Sequence, residues 1–264
     1  MSEGSGLAAG RLLEGKVCVV MGVANRWSIA YAIGDALKQA GATLVLSYLD
    51  ERMKKDCDAL IADQPEAKLY PCDVGKDEDI DALAAAVKKD FGRVDCFVHS
   101  VGFAPGDAMK NAFIDTTREG WRIALDVSAY SLVAVSARIA PLMSEGGSIQ
   151  TLTYLGADRV FPAYKVMGVA KAALEASVRY LAHDLGEQGI RVNALSAGPI
   201  KTAAARGIPG FTDMYKHLTE KSPLKSDFGA AQVAPLAVFL ASDMSAAITG
   251  ETIFVDNGYH VMGM

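Results

Sequence analysis

Seven short apolar runs, alternating with stretches of helical periodicity, constrain the fold of this chain more than any other feature of it. The first, 16–21 (KVCVVM), lacks polar alternation, as expected of a strand buried on both faces. Gly22 ends it. Ile29, Ile33, Ala36, Leu37 and Ala40 then fall on one helical stripe that stops at Gly41. Further strands are predicted at 43–48 (TLVLSY), 68–71, 94–99 (VDCFVH), 147–152, 191–196 and 251–255. Helices are predicted at 51–63, 80–91, 117–143, 164–187 and 231–240, with 201–228 irregular apart from one helical piece. Such alternation builds βαβ units, so the expected fold is α/β: a doubly wound sheet of about seven parallel strands flanked by helices. No Pro/Ser-rich linker or internal repeat divides it. A flexible tail of 1–12 followed by a single domain of 13–264 is expected.

Composition narrows the class. Hydrophobic residues make up 51% and charged residues 22% of 264, which suits a globular chain with a sizeable core. The formal net charge of −5 argues against nucleic acid as a partner, since neutralising phosphates takes a basic surface. No apolar run approaches the length of a membrane span, and residues 1–10 lack the basic start and apolar core of a signal peptide. Cys18, Cys57, Cys72 and Cys96 form no CxxC pair and show no metal-ligand spacing with histidine, so no metal site is expected. Cys18 and Cys96 lie inside strands and read as core thiols, consistent with a reducing cytoplasm. His99, His183, His217 and His260 lack metal-like partners and are assigned no catalytic role.

The turn after the first strand reads GVANRWSIA over 22–30. It stands where a Rossmann-type fold cradles pyrophosphate on a helix N-terminus. Only the first glycine of GxGxxG survives. Ala30 is still small enough for close helix–sheet packing, and Ser28 suits an N-cap and a phosphate donor. Asp73-Val74 follows the third strand and suits an adenine contact, although Asp73 also suits a turn cap. After the second strand, Asp50 and Glu51 stand where a 2′-phosphate would lie, which favours NADH over NADPH. Both acids also suit a helix start.

Tyr154, Tyr164 and Lys171 follow the fifth strand. Read as one helix, Tyr164 and Lys171 lie about two turns apart on one face. The lysine leans back toward the phenol, where a cation lowers a tyrosine pKa and sharpens it as a donor to an oxyanion.

Further motifs are CDV at 72–74, HSVGFAPGD at 99–107 and TYLGADR at 153–159. To these add YKVMGVAKAALE at 164–175, RVNALSAGPIKT at 191–202 and TGETIFVDNG at 249–258. Together they resemble the short-chain dehydrogenase/reductase superfamily, and within it the NADH-dependent enoyl-acyl-carrier-protein reductases of bacterial fatty-acid synthesis. The resemblance covers 13–258. Instead of the superfamily's usual Tyr-x3-Lys with an earlier serine, the chain has Tyr154-x9-Tyr164-x6-Lys171. Another departure is Leu49, where some relatives carry a polar residue near the adenosine. The resemblance implies cofactor contacts from Gly22, Ser28, Ile29, Asp73, Val74, Ser100, Val101 and Gly102. It further implies Lys171 on the nicotinamide ribose, Ile200 on the carboxamide and Thr202 on phosphate. Tyr164 would bond the thioester carbonyl, with Tyr154 beside the substrate. A homotetramer assembled through the helices at 117–143 and 164–187 is also implied; 132–135 and 139–140 are apolar enough to permit such burial.

The stretch 201–228 follows the sixth strand at the ligand-binding end of such sheets. Ala204, Ile208, Phe211 and Met214 read as an acyl-chain lid, with Phe103, Ala104 and Met167 on the walls. An ordinary amphipathic helix is the alternative. Between 201 and 225, five basic residues (Lys201, Arg206, Lys216, Lys221, Lys225) against Asp213 and Glu220 leave +3, suited to an acidic carrier protein or to a solvated face. A 3-oxoacyl or ketone reductase and a catalytically silent NAD-binding regulator are the competing readings. The tyrosine pair and the Tyr164–Lys171 spacing count against both.

Overall fold

The computed structural model describes residues 12–201 and 211–263. Strands β1 (Val17–Met21), β2 (Thr43–Tyr48), β3 (Lys68–Pro71), β4 (Cys96–His99), β5 (Gly147–Thr153), β6 (Ile190–Ala197) and β7 (Thr252–Val255) form one parallel sheet. Their order is β3-β2-β1-β4-β5-β6-β7. Unbroken apolar runs make central strands: β1 and β4 are buried throughout, whereas the edge strands β3 and β7 have no fully buried residue.

Alternate residues of each strand face opposite layers. Cys18 and Val20, with Leu44 and Leu46, pack under α1 (Ile29–Gln39), α2 (Glu51–Ile61) and α9 (Ala230–Ala241) through Ile33, Leu37, Leu60, Ala237 and Leu240. Val19, Val45, Phe97 and Ile149 face α3 (Asp77–Phe91), α6 (Ser131–Ile139) and α7 (Val166–Gly186) through Leu83, Val87, Leu132, Val135 and Leu174. The remaining helices are α4 (Gly106–Lys110), α5 (Arg118–Leu125) and α8 (Phe211–Lys221). From β1 the chain moves toward β2, and from β4 toward β5, so a crevice opens at the carboxyl ends of β1 and β4.

Several expectations shift. Leu12, assigned to the tail, packs against the core beside the fully buried Leu13; the rest of the tail lies outside the described residues. β4 starts two residues late because the Asp95 carboxylate turns back to accept from the Val17 amide at 2.8 Å. The helix expected from 164 begins at Val166: Lys165 takes φ +46°, ψ −122°, which no α-helix includes, so Tyr164 sits in the turn before it.

The expected absence of a membrane-length apolar run also needs correcting. The helical run Arg118–Leu142 is long and apolar enough, with a mean hydropathy of 1.5 over its most apolar 18 residues. Its apolarity is that of a core helix, for Leu132, Ala134, Val135, Ile139 and Ala140 are buried against the chain's own sheet. The same residues are therefore not available as the intersubunit surface imagined for them. The run is interrupted by a π-helical turn, Asp126–Tyr130.

Candidate active site

A cavity of about 450 Å³ lies at the carboxyl ends of β1, β2 and β4. Among its lining residues are Gly22, Ser28, Ile29, Asp73, Val74, Ser100, Val101, Gly102 and Phe103, brought together from three separate loops; Phe103, assigned to the acyl wall, lines this cavity too. Gly22 allows the β1 turn to lie against the β4 end. A Cβ there would meet the Ser100 carbonyl oxygen at 1.9 Å, and φ is +86°.

Ser28 is the N-cap of α1: its hydroxyl accepts from the Tyr31 amide at 3.2 Å and donates to the Asn25 carbonyl at 2.7 Å. Its proton goes to Asn25 here, so Ser28 is seen as a cap, and helix geometry leaves the amides of Ile29 and Ala30 without intrahelical partners. Asp73 caps its turn by accepting from the Gly75 amide at 3.0 Å, and it also lines the cavity. Asp50 caps α2 by accepting from Met53 N at 2.8 Å, and Arg52 lies 3.9 Å from the same carboxylate. The basic charge of Arg52 thus lies beside an acid, and the Asp50 carboxylate disfavours a 2′-phosphate there. Leu49 and Met53, unassigned from sequence, complete that wall.

Beyond Gly102 the site turns apolar. Ala104, Tyr164 and Met167 share one cluster with Ala108, Met109, Ala124 and Val166. The rings of Tyr154 and Tyr164 meet edge to face, 5.0 Å apart, and Phe161 lies 4.9 Å from Tyr154. Burial pushes both phenols up, Tyr154 with help from the charge of Tyr164 and Tyr164 with help from Glu175. The expected lowering of the Tyr164 pKa by Lys171 is therefore absent. Its premise was a shared helix face, and Tyr164 is not in the helix. Both phenols stay protonated at neutral pH and can donate.

Lys171 is 7% exposed and donates to the Leu152 carbonyl at 2.8 Å. Burial lowers its pKa to about 8, against a raising contribution from Glu175. A Cβ on Gly102 would sit 3.5 Å from its Nζ and 3.7 Å from Ser128 Oγ, so the missing side chain lets the ammonium reach the cavity edge. Ser128, in the π-helical turn, accepts from the Phe103 amide at 2.9 Å and lies 3.7 Å from Met167 Sδ. Sequence gave no signal for it, because a π-helical turn has no residue signature here. His99 is wholly buried between Thr151 Oγ1 (3.1 Å) and Ser131 Oγ (2.8 Å); burial and Lys171 lower its pKa to about 3.

The Ile200 side chain is in the core, so its expected cofactor contact would fall to the main chain. Thr202, Ala204 and Ile208 lie outside the described residues, as do the side chains of Phe211 and Met214, whose backbone belongs to α8.

Residues 22–260 match the family described as Enoyl-(Acyl carrier protein) reductase. The enoyl-[acyl-carrier-protein] reductase [NADH] FabI of Bacillus cereus is 46% identical over 96% of this chain and 99% of its own length. An NADPH-designated FabI from Staphylococcus aureus strain MRSA252 is 46% identical over 95% of this chain and 98% of its own. The solved enoyl-(acyl-carrier-protein) reductase from Anaplasma phagocytophilum, in complex with NAD, superimposes with a TM-score of 0.92 at 43% identity, covering 97% of each chain.

Proposed function

The chain belongs to the enoyl-acyl-carrier-protein reductase family, and on that footing we propose that Tyr164 polarises the substrate carbonyl while Lys171 anchors the cofactor ribose. The activity is reduction of the trans-2 double bond of an enoyl thioester carried on acyl carrier protein, with NADH, in fatty-acid synthesis. The observation that carries the division of roles is the position of Gly102. It lines the cavity at the strand ends, and a Cβ on it would meet the Lys171 ammonium at 3.5 Å and Met167 of the tyrosine cluster at 3.7 Å.

NADH, when bound, supplies a hydride to the β-carbon. Negative charge then develops on the thioester oxygen, where a protonated phenol donates more strongly than to the neutral carbonyl. Tyr164, held protonated by its burial, suits that role. Tyr154 packs across its ring and walls the acyl side with Phe161. The amides of Ile29 and Ala30 receive pyrophosphate, and Asp73 and Val74 border the adenine. Residues 201–228 form the acyl lid, and their excess of positive charge receives the carrier protein.

A homotetramer is supported by the outer faces of α5 and α7. Trp121, Leu125, Tyr130, Val133 and Ser177 line a second concavity there, and Trp121 and Tyr130 are 40% and 55% exposed. A cytoplasmic setting agrees with four buried, unpaired cysteines.

The test is NADH oxidation with a trans-2-enoyl thioester beside a 3-oxoacyl thioester. Turnover of the enoyl compound, lost by about 10²-fold or more in Tyr164→Phe with NADH affinity kept, supports the roles given. Turnover of the oxo compound instead would move the chain to the ketone reductases.

A further inference from the structure

One turn beyond Lys171 on α7 stands Glu175, which none of the roles above uses. The two side chains fasten α7 to neighbouring residues at the end of β5. Lys171 Nζ donates to the Leu152 carbonyl at 2.8 Å, and Thr153 Oγ1 donates to Glu175 Oε1 at 2.7 Å. Thr153 is 4% exposed and ends the strand, so the carboxylate is held on a rigid element at the i+4 position from Lys171. The charged and titratable groups acting on Glu175 are Lys171 and Arg179 on α7, and Asp158 beyond β5. Glu175 in turn acts on Tyr164. Lys171 faces Glu175 from its own helix and His99 from β4, and neutral His99 brings it no countercharge. Glu175 is thus the one acid found acting on the buried ammonium among the described residues.

We propose that Glu175 is a positioning residue that keeps Lys171 charged. The inference rests on the role given to Lys171 above. The physical cause is simple. A buried ammonium with only a carbonyl for a partner tends to lose its proton, and a carboxylate one turn away opposes that loss. The same negative charge disfavours tyrosinate. Burial raises the Glu175 pKa, and the hydrogen bond from Thr153 opposes that rise because it favours the charged form.

The sign is fixed. In Glu175→Gln the amide oxygen still accepts from Thr153 but carries no charge, so the Lys171 midpoint moves to lower pH. The direct measurement is the ¹³Cε resonance of Lys171 in the cofactor-free protein, titrated with pH and assigned by its loss in Lys171→Arg. We expect the midpoint in Glu175→Gln to lie lower than wild type by roughly half a pH unit or more. Glu175→Asp should recover part of that, and Thr153→Val should move it in the same direction by less. The basic limb of kcat/KM should follow the resonance. An unchanged Lys171 midpoint in Glu175→Gln overturns the proposal, whatever the activity does. A moved midpoint with unaltered NADH affinity at every pH supports it, and instead removes Lys171 from the cofactor site.

Discussion

Tyr154 and Tyr164 stand edge to face over Gly156: a Cβ on that glycine would lie 2.5 Å from Tyr164 Cδ1 and 3.0 Å from Tyr154 Cδ1. Neither ring can retreat easily, because Phe161 backs the first, and Gly168 packs so close to the second that a Cβ there would lie 2.7 Å from the Gly156 carbonyl oxygen and 3.8 Å from Tyr164 Cδ1. Gly156→Ala should therefore displace the Tyr164 hydroxyl. Turnover is expected to fall on the order of 10²-fold while NADH affinity is kept, as checked by steady-state kinetics beside fluorescence titration.

Lys171 makes the site at a cost to the fold. Its pKa falls from 10.5 to about 8 on folding, so at pH 7 burial of the charge costs up to about 3 kcal/mol. The unfolded chain binds more protons between these values, so the cost shrinks as pH rises from 8 to 10.5. Lys171→Met should lose NADH binding yet melt no lower than wild type at pH 7. Its advantage should fade toward pH 10.5, as followed by thermal denaturation at several pH values.

His99 works in the opposite pH range. It stays neutral in the fold down to about 3, while an unfolded histidine titrates near 6.5. Its contribution is whole above 6.5 and is lost progressively as pH falls toward 3. Wild type should lose about 2 kcal/mol more stability than His99→Asn between pH 7 and pH 5, measured by urea denaturation.

At the other end of the cavity, Gly22 carries both a positive φ and contact with Ser100. Gly22→Ala should destabilise by about 2 kcal/mol or more and weaken NADH binding together with it, seen in melting and fluorescence titration. A fully stable variant with normal affinity would refute the cradle described for the β1 turn.

Much of this molecule is legible in one dimension. Uninterrupted apolar runs such as 16–21 reveal central strands, and Ile29, Ile33 and Leu37 reveal the stripe that covers them. Gly22, Ser28 and Asp73 were nameable because they lie in the turns that follow strands at the sheet's carboxyl edge, where parallel topology gathers ligands, and Ser100 was nameable through the family resemblance. Glu175 carried a signal too, four residues after Lys171 on a helix, but nothing marked its bond to Thr153.

Tertiary structure decided the rest. Periodicity places residues on a face only while the helix continues, and the positive φ of Lys165 ends that rule one residue after Tyr164. Burial, not the neighbouring cation, then determined the tyrosine's acidity. The apolar 117–143 run shows the same division: its sequence dictated a helix, but whether its buried face met the chain's own sheet or another surface depended on residues far away in sequence. Local pattern sets local geometry through short-range sterics and hydrogen bonds. Solvation and charge depend on what the whole fold brings within a few ångströms, so no stretch of sequence carries them alone.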